Sequence, residues 1–146
     1  MISPKKFLIF LKKNKIENFC GVPDSVLKNF TLLIEGKKNN IIAANEGSAV
    51  AIAIGNYLSS KKISLVYMQN SGLGNAINPI VSIAHQNVYS IPAVLLIGWR
   101  GSGKKNSDGP QHLVKGKITK SLLKLIGVRF AELKNDNDFY KIKDLI

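Results

Sequence analysis

The chain has 146 residues, 45% of them hydrophobic, and a formal net charge of +12 at pH 7. That length suits a single domain with a real core, and no apolar run reaches the roughly 20 residues that a membrane-spanning helix needs. The charge is a lysine charge, spread in pairs such as Lys12-Lys13, Lys37-Lys38 and Lys61-Lys62, with Arg100 and Arg129 the only arginines and no nucleic-acid motif; a solvated basic surface is expected, with no nucleic-acid and no membrane partner, while an acidic partner or anionic substrate stays open.

The first residues mimic a leader peptide, but their apolar core is short and lysines follow where small residues mark cleavage. Ser3 as cap and Pro4 at the first helical position predict an amphipathic helix to Lys13 instead. Asn18 to Val22 reads as a short strand with a turn at Gly21 and Pro23. Asp24 or Ser25 is placed to cap a second helix running to about Ile34. Ile41 to Ala44 predicts a buried strand, Asn45 an N-cap, and Glu46 to about Leu58 a helix apolar enough to be packed on most sides. Ile63 to Met68 is a third strand. The small polar loop from Gln69 to Asn75 leads into a helix from Ala76 to about His85, with Pro79 near its first turn. Ile91 to Gly98 is a fourth strand, Trp99 to Gly116 a long irregular segment, and Thr119 the cap of a helix through Ile126. Gly127 to Ala131 is expected as a fifth strand, and Asn137 or Asp138 as the cap of a last helix.

Strands alternating with helices predict an α/β fold, an open parallel sheet covered by helices on both faces. The segments after the strands, 21–25, 45–47, 69–74 and 99–112, should gather at one edge, where such sheets bind ligands. Glu46 is conspicuous there, because from Gly47 to Gly109 the only acid is Asp108. A first-turn acid can simply answer the helix dipole. A carboxylate at the end of a strand can also hold a ligand. Two motifs are decoys. Gly72-Leu73-Gly74-Asn75-Ala76-Ile77 lacks the last glycine and the ribose-binding acid of a dinucleotide fingerprint. Gly98 to Lys105 resembles a P-loop, but Lys105 stands in the hydroxyl position and Asn106 to Pro110 cannot open a helix at once. Cys20, the lone cysteine, excludes a disulfide framework and a thiolate metal site, and fits a reduced, cytoplasmic setting. Of the two histidines, His85 falls at a helix end, and His112 lies on the functional edge as a candidate acid or base.

Several stretches, in order along nearly the whole chain, resemble one family. They are Gly21-Val22-Pro23-Asp24-Ser25, Ala43-Ala44-Asn45-Glu46-Gly47, Val66 to Asn75, Leu95 to Gly101 and Pro110-Gln111-His112. They look like the thiamine-diphosphate-dependent decarboxylases, the phosphonopyruvate enzymes first and the sulfopyruvate decarboxylase alpha subunits next. The resemblance implies a pyrimidine-binding (PYR) domain over 1–146, with its last strand missing. It implies that Glu46 hydrogen-bonds the cofactor's pyrimidine nitrogen and that Gln69, Asn70 and Gly72 lie beside that ring. It makes Asp24 and His112 candidates for proton handling, and Arg100 and Gln111 candidates for the substrate's anionic group. The family holds Mg²⁺ and the diphosphate through a Gly-Asp-Gly motif and a distant asparagine on a second (PP) domain. No such motif occurs here, so a PP-domain chain or C-terminal half is the implied partner, within an oligomer. The implied reaction converts 3-phosphonopyruvate, a small anionic 2-oxo acid, to phosphonoacetaldehyde and CO₂. Sulfopyruvate decarboxylation is the alternative, and a truncated, non-catalytic partner-binding domain the alternative of another class.

Overall fold

The structure, a computed structural model, describes residues 2–103 and 108–146. Its centre is a four-stranded, all-parallel sheet formed by β1 (Asn18–Gly21), β2 (Asn40–Ile42), β3 (Ser64–Gln69) and β4 (Val94–Gly98), in the order β2-β1-β3-β4. In β3, Leu65 and Tyr67 enter one core with Phe7 and Leu11 of α1 (Pro4–Lys13) and Phe30 and Ile34 of α2 (Lys28–Ile34). Val66 and Met68, on the alternate positions, enter a second core with Ala49, Val50, Ala53 and Ile54 of α3 (Glu46–Ser60) and Leu73 and Ala76 of α4 (Leu73–Pro79). The period-two alternation of one central strand thus feeds both faces, and the expected α/β sheet with helices on both sides is the architecture found.

Several boundaries differ from expectation, each for a physical reason. β2 is an edge strand, so Ile41 and Ile42, expected inside, are 49% and 61% exposed. Helix α3 buries one stripe, Ala49, Val50, Ala53 and Ile54, and exposes Ala51 and Gly55. The turn 24–27 precedes α2, which starts at Lys28 rather than at Asp24 or Ser25. Helix α4 starts at Leu73, which makes Pro79 its last residue, and the chain widens there into a π turn over Ile80–Ala84. Helix α5 (Pro110–Leu125) begins nine residues before the expected cap Thr119, with Pro110 at its first position and Gly109 as N-cap. The expected fifth strand is absent among the described residues. Gly127 and Val128 turn their amides back onto the carbonyls of Lys124 and Leu123 and close α5. A short 3₁₀ turn, Asp136–Phe139, leads into α6 (Tyr140–Lys143). Of the P-loop decoy, Lys104 and Lys105 lie outside the described residues.

Candidate functional site

Because every strand runs the same way, the loops after β1 to β4 emerge at one edge of the sheet, as the strand-helix alternation predicted. Two corners of that edge carry the chemistry.

The first corner joins the end of β2 to the end of β3. Asn45 caps α3, its side chain accepting from the amide of Ser48 at 2.9 Å, which fixes Glu46 as the first helical residue. Glu46 Oε2 accepts from Asn75 Nδ2 at 2.8 Å. Its other oxygen lies so close over Gly72 that a Cβ there would overlap it. The carboxylate is therefore aimed by a donor on one side and a bare backbone on the other. It is half-buried rather than enclosed, because the edge strand before it leaves that side open. Gln69 closes its own loop, donating from Nε2 to Ser71 Oγ at 2.7 Å.

The second corner joins β1 to β4. Asp24 is buried, 9% exposed. Its Oδ2 accepts from the amide of Val26 at 3.1 Å, while Oδ1 has no partner among the described residues. So Asp24 closes a turn and does not cap α2. A Cβ on Gly98, at the end of β4, would overlap its carboxylate. Arg100 reaches across this corner. Its NH1 meets Asp108 Oδ1 at 2.7 Å and its NH2 donates to Ser25 Oγ, while Nε is buried without a partner among the described residues. Asp108 Oδ2 also accepts from the amide of Gly101 at 2.9 Å. That amide first, and the guanidinium second, hold the Asp108 carboxyl below the usual carboxylate range.

Asn70 ties the corners together. It is 4% exposed, and its amide serves the main chain of Arg100 on both sides, donating to the carbonyl at 3.0 Å and accepting from the N–H at 3.2 Å. It also donates to Thr119 Oγ1 on α5 at 2.9 Å. His112 is half-buried in the first turns of α5, its Nδ1 without a partner among the described residues, and Gln111 beside it is exposed. Trp99, which the sequence did not single out, anchors the β4 loop on α5 by donating from Nε1 to the carbonyl of Gly116 at 3.1 Å, with Lys120 stacked 4.9 Å from its ring centre. Ser25 and Asp108 were missed as well. Among the described residues no cluster of three or more potential metal ligands occurs, and no helix is long and apolar enough to cross a membrane.

Comparison with known proteins bears on this edge. The family model described as thiamine pyrophosphate enzyme, N-terminal TPP binding domain, matches residues 5–120. The sulfopyruvate decarboxylase alpha subunit of Methanocaldococcus jannaschii is 37% identical over 134 residues, covering 90% of this chain and 76% of that protein. Phosphonopyruvate decarboxylase of Streptomyces hygroscopicus is 33% identical over 141 residues, covering 94% of this chain but 34% of that protein. Among solved structures, benzoylformate decarboxylase from Polynucleobacter necessarius superposes with a TM-score of 0.57 at 30% identity, over 68% of this chain and 19% of that one.

Proposed function

The chain belongs to the thiamine pyrophosphate enzymes, as their N-terminal TPP-binding domain, and on that premise we propose that it is the PYR half of a 2-oxo acid decarboxylase. The observation that carries this reading is Glu46: an acid at the open end of a strand, aimed by Asn75 and left room by Gly72. Those residues fit the aminopyrimidine half of thiamine diphosphate. A carboxylate accepts a hydrogen bond from a protonated ring nitrogen, and the missing side chain at Gly72 lets the Glu46 carboxylate lie where it can do so. When bound, the cofactor supplies the electron sink that loss of CO₂ from a 2-oxo acid requires. Glu46 would hold the pyrimidine ring, with Gln69 and Gly72 beside it. Asp24, with one buried oxygen unspent, would take or give a proton at the reacting carbon. His112 is the second candidate for that exchange. Arg100 and Gln111 would meet the anionic end of the substrate, for which a guanidinium is suited.

The substrate proposed first is 3-phosphonopyruvate, giving phosphonoacetaldehyde and CO₂. Sulfopyruvate stands beside it, favoured by the share of the alpha subunit that the chain spans, 76% against 34% of the phosphonopyruvate enzyme. Both place a tetrahedral anion beside a 2-oxo acid. A PP-domain partner, either a separate chain or a C-terminal half, would hold the diphosphate and Mg²⁺ and complete an oligomeric, cytoplasmic enzyme. The test is to produce the chain with a PP-domain partner, add thiamine diphosphate and Mg²⁺, and compare turnover of the two substrates. Release of CO₂ from either one, lost in Glu46→Gln, supports the reading. Cofactor binding without turnover of either would leave a non-catalytic partner-binding domain.

A further inference from the structure

Asn70 lies on the loop that the resemblance puts beside the cofactor, yet its amide points inward. Three of the four hydrogen bonds an asparagine amide can make are taken by protein groups. Parallel pairing of β3 with β4 stops at Gln69 opposite Gly98. One step further, the side chain of Asn70 meets both the N–H and the C=O of Arg100, which is what the main chain of a neighbouring strand would do. The third bond goes to Thr119, whose hydroxyl donates to the carbonyl of Lys115 at 2.7 Å and so has only a lone pair to offer Asn70. These partners demand a group that donates twice and accepts once on a single planar end, and only an amide of this length meets them. The main chain of Arg100 is thereby fixed, and with it the start of the side chain that spans to Ser25 and Asp108.

We propose that Asn70 is a positioning residue: it locks the β4 loop and α5 to the end of β3, and so sets Arg100, on the substrate side, without touching the cofactor. The proposal rests on the decarboxylase reading only for its kinetic consequence; the lock itself is tested on the chain alone. Asn70→Asp keeps the shape and removes both donors. Thr119→Val removes the α5 partner from the far side, and carries the test by itself if Asn70→Asp does not fold. Trp99, the only tryptophan, sits on the locked loop and reports on it. Acrylamide quenching of Trp99 is expected to rise at least about twofold in Asn70→Asp and less in Thr119→Val, with far-UV circular dichroism unchanged. In the assembly with a PP-domain partner, KM for the 2-oxo acid is expected to rise about tenfold or more, while kcat and thiamine diphosphate affinity stay within about twofold. A folded Asn70→Asp or a Thr119→Val with wild-type Trp99 quenching overturns the lock. A loss of cofactor affinity with KM unchanged also overturns the proposal, and makes Asn70 a cofactor ligand. If the wild-type assembly turns over neither substrate, the decarboxylase reading fails while the quenching result still decides the lock.

Discussion

The two corners of the functional edge are built by opposite means. The corner of Glu46 rests on shape: one hydrogen bond from Asn75 and an absent side chain at Gly72. The corner of Asp24 and Arg100 rests on charge and polar contact: Arg100, Asp108, Ser25 and the Gly101 amide satisfy one another, while Asp24 Oδ1 and Arg100 Nε are buried and have no partner among the described residues. A site of the first kind tolerates almost no added volume. A site of the second kind is closed to added volume at Gly98 as well, but it also answers to charge and to pH.

The sharpest test of that difference is at Gly72. Gly72→Ala puts a methyl group where the Glu46 side chain lies, so the carboxylate must swing out of the position that Asn75 gives it. Turnover is expected to fall by about 10²-fold or more, the scale seen when one preorganised polar contact is lost, and thiamine diphosphate binding should weaken in parallel. Glu46→Gln removes the charge and keeps the volume, and is expected to lower turnover on the same scale with Tm unchanged. Should Gly72→Ala bind cofactor and turn over normally, the carboxylate of Glu46 is not held where the structure puts it.

The next largest effect falls on the other corner. Arg100→Ala removes the guanidinium that spans from Ser25 to Asp108, and KM for an anionic 2-oxo acid is expected to rise about tenfold or more, equivalent to about 1.4 kcal/mol of binding. Cofactor affinity should hold. An equal loss of cofactor affinity would erase the distinction between the corners, because it would mean that the edge responds as one unit.

How legible each corner was follows from the same contrast. Glu46 was visible because a lone acid before an apolar helix stands out in one dimension, and its cap Asn45 is adjacent. The partners of Arg100 were not visible. Ser25 lies 75 residues away in sequence. Asp108 sits in a stretch whose Gly, Ser, Lys and Pro content reads as loop. The same composition hid the first half of α5. Gly116 was read as part of an irregular segment, but it is a contact point: a Cβ there would overlap the carbonyl of Gly101. Likewise Gly127-Val128 carried a strand-like pattern, but the capping of α5 claimed their amides first. Alternation and length were enough for the architecture, since the two cores read directly from β3. Which amide a glycine frees, and for whom, is decided only by the packing.

Asp108 gives the pH test. Its folded-state pKa is depressed, so the stabilisation it lends the loop is complete above the ordinary carboxylate range and is lost as the pH falls through the lower folded value. The Trp99 emission of the wild type is therefore expected to hold from neutral pH down to the usual carboxylate range and to change only below it. Asp108→Asn should show the acid-type spectrum already at pH 7.

The smallest effect supplies the control, at a carboxylate remote from both corners. Asp138 accepts from the amides of Lys134 and Asn135 at 2.7 and 3.1 Å and from Lys141 Nζ at 2.6 Å. The ammonium of Lys141 first, and the two amides after it, hold its carboxyl down to about 2. With the sign of a depressed acid, its contribution to folding is complete above about pH 4, where the unfolded carboxyl is already ionised, and disappears as the pH falls toward about 2. Asp138→Asn should lower Tm slightly at neutral pH and flatten the acid limb of the stability curve, with Trp99 quenching, cofactor affinity and KM at wild-type values. Thermal scans from pH 7 to pH 2, set beside the same scans of Asp108→Asn, separate the two carboxylates. If Asp138→Asn moved the Trp99 signal or KM as Asp108→Asn does, the effects assigned to the Arg100 corner would be consequences of general loosening. If it leaves them alone while softening the acid limb, the pH response of that corner belongs to Asp108 and its guanidinium.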